Sequence, residues 1–260
     1  MSEVFFEMLS PLPLDSHEDA RNLFDIWARN APSFFPDRAG VHEPLKRPFS
    51  LASLEDVLDD WKFQFLLKRV SSPKLQSVVM MQYGPHKLHS TWTIGLRRIK
   101  DFDDISFGNL IKAAARSFLP DFGFIHSVTA AETARGLSNG SIAFLDSARK
   151  TKSLYVTTHI LKRYVPDIYW TTIFGGQYVQ LFSRSRLLSA PVHRVEELGN
   201  GCVLLQLTPK LTDVFDDESH FERLRQVVRN HLGADVFFDP AKGPHHHYRV
   251  PRFTWEPRPH

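Results

Sequence analysis

Cysteine is almost missing from this 260-residue chain: Cys202 stands alone, so no intramolecular disulfide can staple the fold. Its setting, Cys202-Val203-Leu204-Leu205, predicts a buried, inert thiol. Long apolar runs are missing too, and no segment approaches the roughly 20 residues that cross a bilayer. The opening MSEVFFEMLSPLPLD has acids where a secretory signal needs Lys or Arg, and Pro11 and Pro13 interrupt its apolar stretch. The expectation is a soluble cytoplasmic protein with no membrane partner. An excess of one charge is also lacking. Thirty-two basic residues face 29 acidic ones, for a net +3 and a pI near 9.0. The Lys and Arg residues are scattered rather than striped, which argues against nucleic acid as the partner. Neither G-x-x-x-x-G-K-[ST] nor G-x-G-x-x-G occurs, so Gly175-Gly176 marks a turn rather than a phosphate cradle.

What is present is ring-rich apolar sequence. Twenty-one Phe and five Trp stand against six Tyr, and Phe has no polar handle, so most of these rings belong in a core. The chain is long enough to bury a sizeable one, as one large domain or as two halves, 1–128 and 129–260. Ser16 and Asp19 have capping-box spacing, with Asp in place of the preferred Glu, and Ala20, Leu23, Phe24, Trp27, Ala28 and Ala31 then follow at helical intervals. Pro32 ends that helix, and the stretch to Pro48 reads as a connection. Leu51 to Val70 reads as a helix giving way to a strand near Trp61. Gln76 to Tyr83 and His89 to Leu96 read as a hairpin turning at Gly84-Pro85-His86-Lys87. Phe107 to Leu119 and His220 to Leu232 are amphipathic helices; the second is expected to turn Phe221, Leu224, Val227, Val228 and Leu232 inward. Strands are expected at Phe122 to His126, Ile168 to Phe174, Cys202 to Leu207 and Val236 to Phe238, and a short helix at Tyr178 to Leu188.

Two units resemble each other at a constant offset of 114 residues, either as an internal duplication or because any amphipathic helix followed by a strand looks alike: Phe107 matches Phe221, Leu110 Leu224, Asp121 Asp235 and Phe124 Phe238. Each is a helix followed by Asp and a short aromatic strand. Paired strands with intervening helices indicate an α+β fold, helices packed on an antiparallel or mixed sheet.

Chemistry-bearing patterns are sparse. His245, His246 and His247 are adjacent, so they cannot all converge from a regular strand, and no flanking ligands stand at finger or metalloprotease spacing. Asp216-Asp217-Glu218 precedes a helix, where acids complement the dipole. A metal-dependent hydrolase built on either group is the alternative to a binding function. His126-Ser127 and Thr157-Thr158-His159 fit core or surface roles better than nucleophile–base pairs. No cofactor is expected. The acidic faces, Glu55, Asp56 and Asp59 beside Trp61 and Asp213, Asp216 and Asp217 further on, are candidate contacts with a basic partner.

The most specific stretch is Pro166 to Pro191. Its Tyr169-Trp170, Phe174-Gly175, Tyr178-Val179, Leu181-Phe182, Leu187-Leu188 and Ala190-Pro191, followed by Leu205-Gln206-Leu207-Thr208-Pro209, resemble immunity proteins of bacterial polymorphic toxin systems, most of all immunity family 52. The similarity continues through Phe237-Phe238-Asp239 to Arg249-Val250-Pro251-Arg252-Phe253. It covers the last 100 residues well and the first 150 in general layout. It implies a cytoplasmic, non-enzymatic α+β protein that binds and neutralises a cognate toxin, a nuclease-like effector of type VI secretion. The basic pI departs from the acidic character common in inhibitors of basic nucleases.

Overall fold

The computed structural model describes residues 3–82, 88–146, 151–253 and 255. A nine-stranded sheet, antiparallel at every pairing, organises them. Its strands are β1 (Val4–Ser10), β2 (Arg38–Gly40), β3 (Gln64–Arg69), β4 (Leu75–Met80), β5 (Ser90–Leu96), β6 (Phe122–His126), β9 (Thr171–Phe174), β10 (Arg194–Glu197) and β11 (Val203–Gln206). They lie in the order β10-β11-β9-β6-β1-β5-β4-β3-β2. A separate hairpin, β7 (Ile142–Asp146) with β8 (Thr151–Leu154), lies outside it. The helices are α1 (His17–Asn30), α2 (Asp104–Phe118), α3 (Ala130–Ser138), α4 (Thr158–Leu161), α5 (Gly176–Phe182), α6 (Arg184–Leu188), α7 (Asp213–Asp216) and α8 (Glu218–Leu232). The fold is therefore α+β, as the patterning predicts. Six sheet strands precede residue 129 and three follow it, and β6 joins the two groups by pairing with both β1 and β9.

One face of the sheet carries Phe6, Trp92, Ile94, Val79 and Phe65. Helices α1 and α2 cover it: Trp27 packs on Trp92 at 5.3 Å, Phe24 on Phe65 at 6.4 Å, and Phe118 on Trp92 at 6.4 Å between ring centroids. Ser16 caps α1 through the reciprocal bonds of a capping box with Asp19, as its spacing predicts. Helix α2 buries the expected stripe of Phe107, Leu110, Ile111, Ala114, Ala115 and Phe118. It also reaches over the far strands, where Lys112 pairs with Glu196 at 2.9 Å.

Among the described residues the opposite face is covered only in part. Over β6 and β9 it meets α5 and α8: Phe122 contacts Tyr178 at 5.9 Å, His126 stacks on Phe221 at 5.9 Å, and Phe124 stacks on Tyr169 at 4.2 Å. Every residue of β6 and β9 is accordingly buried. On β3, β4 and β5 burial alternates residue by residue, the sign of a sheet with one open side.

Several elements differ from the sequence expectation. Leu51 to Asp60 forms two 3-10 turns rather than an α-helix, with strand β3 following as expected. Val236 to Phe238 is a 3-10 turn and one isolated parallel bridge, Val165 to Phe237, because β9 pairs with β6 and leaves the segment outside the sheet. Tyr178 to Leu188 splits into α5 and α6 at Ser183, whose φ of 69° breaks the helix. On α8, Val227 faces solvent and Leu224 is half-buried, while Arg225 turns inward. The turn expected at Gly84-Pro85-His86-Lys87 lies outside the described residues.

Candidate functional site

The uncovered face of β1, β3, β4 and β5 is the floor of a cleft of about 1560 Å³. Register places Glu7 opposite Thr93, Thr93 opposite Val78 and Val78 opposite Leu66, so these side chains project to one side. Phe5, Val78 and Met80 supply the apolar floor, Phe63 stands at the edge, and the segment Lys152 to His159 forms the opposing wall. Met80 and Phe63 are 40% and 49% exposed, high values for large apolar side chains. One end of the cleft is basic in balance, with Lys74, Arg97 and Arg98 on adjoining strand ends and Lys152 on the wall against Glu3, which feels the charge of Arg97. Arg98 is held by Asp101 at 2.7 Å. The other end, near Met80, Leu88 and Thr91, carries no cationic side chain among its lining residues.

Glu7 is buried at the centre of the floor and accepts a 2.6 Å bond from the Val156 backbone N–H. Burial holds its carboxyl well above the ordinary carboxylate range despite that bond. The wall is tied to the sheet by a relay. His89 Nε2 lies 3.0 Å from Asp121 and Nδ1 lies 2.9 Å from the Thr158 hydroxyl. Burial lowers the His89 pKa against the pull of Asp121, so one ring nitrogen donates to Asp121 and the other accepts from Thr158. The array looks like a nucleophile–base–acid chain, yet the Thr158 oxygen also accepts the His89 backbone N–H at 2.9 Å. Phe253 and Trp255 close over the imidazole at 4.9 and 4.8 Å. It works as a tether joining the start of α4 to β5 and β6.

A second polar cluster lies under α8. Arg225, 1% exposed, pairs with Glu132, with Glu222 at 2.6 Å and with Asp167 at 3.5 Å. Arg135 reaches the same Asp167 at 2.7 Å, and Arg229 lies 3.8 Å from it. Burial would lower the Arg225 pKa, but Asp167, Glu132 and Glu222 outweigh it and keep the guanidinium charged. Burial would likewise raise that of Glu132; Arg225 and His126 hold it well below the ordinary range. His126 Nδ1 accepts the Trp170 N–H at 3.2 Å, which leaves the ring proton on Nε2, facing Glu132 at 2.9 Å. Three guanidinium groups against three carboxylates make a balanced clamp between α3, α8 and the approach to β9.

The acidic residues singled out in the sequence sit elsewhere. Glu55, Asp56 and Asp59 are exposed on a 3-10 turn, where Glu55 forms a bidentate pair with Arg21 at 2.8 Å. Asp213 accepts the Lys210 N–H at 3.0 Å, Asp217 caps α8 through the His220 N–H at 3.0 Å, and Asp216 is exposed. Asp104, at the start of α2, accepts a bond from the Leu211 backbone and feels the charge of Asp213, so the 213–217 group lies beside the start of α2. Among the described residues no hydrogen bond or ion pair joins the 55–59 group to the 213–217 group. His245, His246 and His247 are exposed, and among the described residues no three His, Cys, Asp or Glu side chains are grouped as metal ligands. Cys202 is buried, and burial pushes its thiol up to about 12.

Among the described residues no helix is long and apolar enough to cross a membrane. No protein-family model matches the chain, and no curated protein matches it. Among solved structures it is similar in fold to the Pseudomonas aeruginosa T6SS protein PA0821. The TM-score is 0.55 with 12% sequence identity, over 89% of this chain and 72% of the other.

Proposed function

We propose that this chain is an immunity protein of type VI secretion, which binds a cognate toxin with a nuclease-like domain and neutralises it by occupying its surface. The observation that carries this reading is the open sheet face. Over β3, β4 and β5 the molecule leaves apolar floor uncovered beside a basic end, whereas over β6 and β9 the same face is sealed by α5 and α8. Exposed apolar surface of that kind, rimmed by charge, marks interaction sites. The likeness in fold to a T6SS protein supports the setting, and the resemblance of residues 166–209 to immunity family 52 supports the role.

The test is co-expression of this chain in a bacterial host with the toxin domain encoded by the adjacent effector gene. Growth should be restored and the two chains should copurify. Equal killing with and without this chain overturns the reading. Charge reversals at Glu55, Asp56 and Asp59, or at Asp213, Asp216 and Asp217, compared with reversals at Lys74 and Arg97, decide which surface is used.

A further inference from the structure

Resting on that reading of the chain as a partner-binding protein, we propose that the cleft receives an amphipathic α-helix of the partner, apolar along one face and acidic toward its C-terminal end. Three observations converge on this occupant. The cleft, at about 1560 Å³, exceeds the roughly 300–1,000 Å³ of small-molecule sites. Its floor offers no free backbone: β1 lies between β5 and β6, β5 between β1 and β4, and β4 between β5 and β3. An incoming strand therefore has no edge to extend on the floor, and recognition there runs through side chains, as it does for a helix laid in a groove; the one edge lining the cleft is that of the short wall strand β8, paired with β7 alone among the described residues. The sheet's other face shows the same solution from within the chain, since α1 and α2 lie across it on rows of aromatic side chains. The incoming helix supplies the layer that α5 and α8 provide over β6 and β9.

Charge fixes its chemistry and direction. Lys74 and Arg97 are exposed at one end of the floor, and Lys152, whose ammonium donates to the Thr133 hydroxyl at 2.5 Å, lines the wall. Acidic side chains and the partial negative charge of a helix C-terminus are both favoured at that end. Apolar positions of the helix meet Phe5, Val78, Met80 and Phe63. Strand β5 has seven residues and at about 3.4 Å per residue runs about 24 Å. A helix of about 15 residues, rising about 1.5 Å each, matches it.

The probes are two 15-residue helical peptides with the same leucine stripe, one bearing glutamates near its C-terminus and the other lysines there. Fluorescence anisotropy with the full chain should give binding of the acidic peptide at least tenfold tighter than of the basic one. The variant Lys74→Glu/Arg97→Glu should weaken the acidic peptide at least tenfold, and Met80→Glu should weaken both peptides. These side chains are exposed, so the variants should retain the wild-type circular dichroism and melting temperature. Equal affinity for the two peptides, no binding of either, or indifference to K74E/R97E overturns the proposal. So does a dimer of this chain that Met80→Glu dissolves, or DNA binding that K74E/R97E abolishes. Toxin capture by the wild type that persists in K74E/R97E and M80E removes the cleft assignment while leaving the immunity reading intact. Absence of any toxin capture removes the immunity reading, and the peptide measurements then decide the cleft on their own.

Discussion

Helices α2 and α8 align at the 114-residue offset in sequence, yet they cover opposite faces of the sheet, and they differ sharply at one inward position. Phe107, Ile111, Ala114 and Phe118 of α2 correspond to Phe221, Arg225, Val228 and Leu232 of α8. Three of the four pairs keep apolar character, while Ile111 in a dry interface becomes Arg225 in a charged one. The exchange holds because Glu132, Asp167 and Glu222 converge on the guanidinium. A buried ion costs several kcal/mol to desolvate and is retained only where partners and hydrogen bonds offset that cost. The same helical stripe can thus be filled by packing in one unit and by a clamp in the other.

Exchanging the two residues tests that statement. Ile111→Arg places a charge at a fully buried position of the apolar α2 stripe, and costs several kcal/mol, comparable with the stability of a whole domain. The expected result is loss of the cooperative thermal transition. Arg225→Ile, the reverse, removes the guanidinium nearest Glu132, leaving it His126 at 2.9 Å and Arg135 at 3.8 Å, and should cost about 3 kcal/mol in urea unfolding. Adding Glu132→Leu should recover part of the loss, since it removes the carboxylate left without Arg225 and leaves Arg135 and Arg229 opposite Asp167 and Glu222. The pH dependence separates the two as well. Glu132 has a folded pKa well below its ordinary 4.5, so its contribution is present above pH 4.5 and is lost as pH falls through the folded value. Wild type should lose stability more steeply in acid than the double variant.

The join between β6 and β9 depends on a close approach. Gly175 donates its N–H to Asp121 O at 2.9 Å, and a Cβ there would lie 1.9 Å from the Pro120 carbonyl oxygen. Gly175→Ala should cost about 1–3 kcal/mol by overpacking. Gly176→Ala, with open space around it, should leave the unfolding midpoint nearly unchanged. Equal effects at the two positions would mean the join is looser than the packing indicates.

Glu7 and Glu132 form a second pair of opposites. Both are buried carboxyl groups; Glu132 meets a guanidinium, while Glu7 meets only a backbone N–H. With its pKa raised well above 4.5, Glu7 contributes stability below pH 4.5 that is lost as pH rises through the folded value. Glu7→Gln should therefore match wild type in acid and become progressively more stable than it toward neutral pH, with a larger melting-temperature advantage over wild type at pH 7 than at pH 4. A constant difference across that range would show that Glu7 does not titrate with folding.

Local grammar was readable wherever one face of an element is wet. Capping at Ser16 follows from residue spacing and the stripe of α2 and strands β3 to β5 from periodicity, while the fully buried β6 and β9 were legible as short aromatic and β-branched runs. Strand β1, at the centre of the sheet, was not legible, because Val4 to Ser10 is buried on both faces and shows no alternation. Strands β2, β7, β8 and β10 are three to five residues long and two of them lack apolar pattern. On α8 apolarity alone favoured Leu224 and Val227 over Arg225. The i, i+4, i+7, i+11 spacing of Phe221, Arg225, Val228 and Leu232 was the available signal, overridden by the charge on the second member. The cleft was invisible in sequence because residues 5, 63, 80, 97 and 152 meet only through the sheet order.

Helix starts give the smallest contrast between the units. Ser16 and Asp19 close a full capping box on α1, with the Asp19 N–H donating to Ser16 Oγ at 3.0 Å and the Ser16 N–H to Asp19 at 3.1 Å. Helix α5 begins at Gly175 with no side-chain cap, since the approach to Pro120 leaves no room for one. Ser16→Ala should cost about 1 kcal/mol, the usual worth of such a cap, read as a small fall in urea midpoint with unchanged slope. An effect as large as that of Gly175→Ala would mean that the entry to α1 depends on Ser16 for more than its cap.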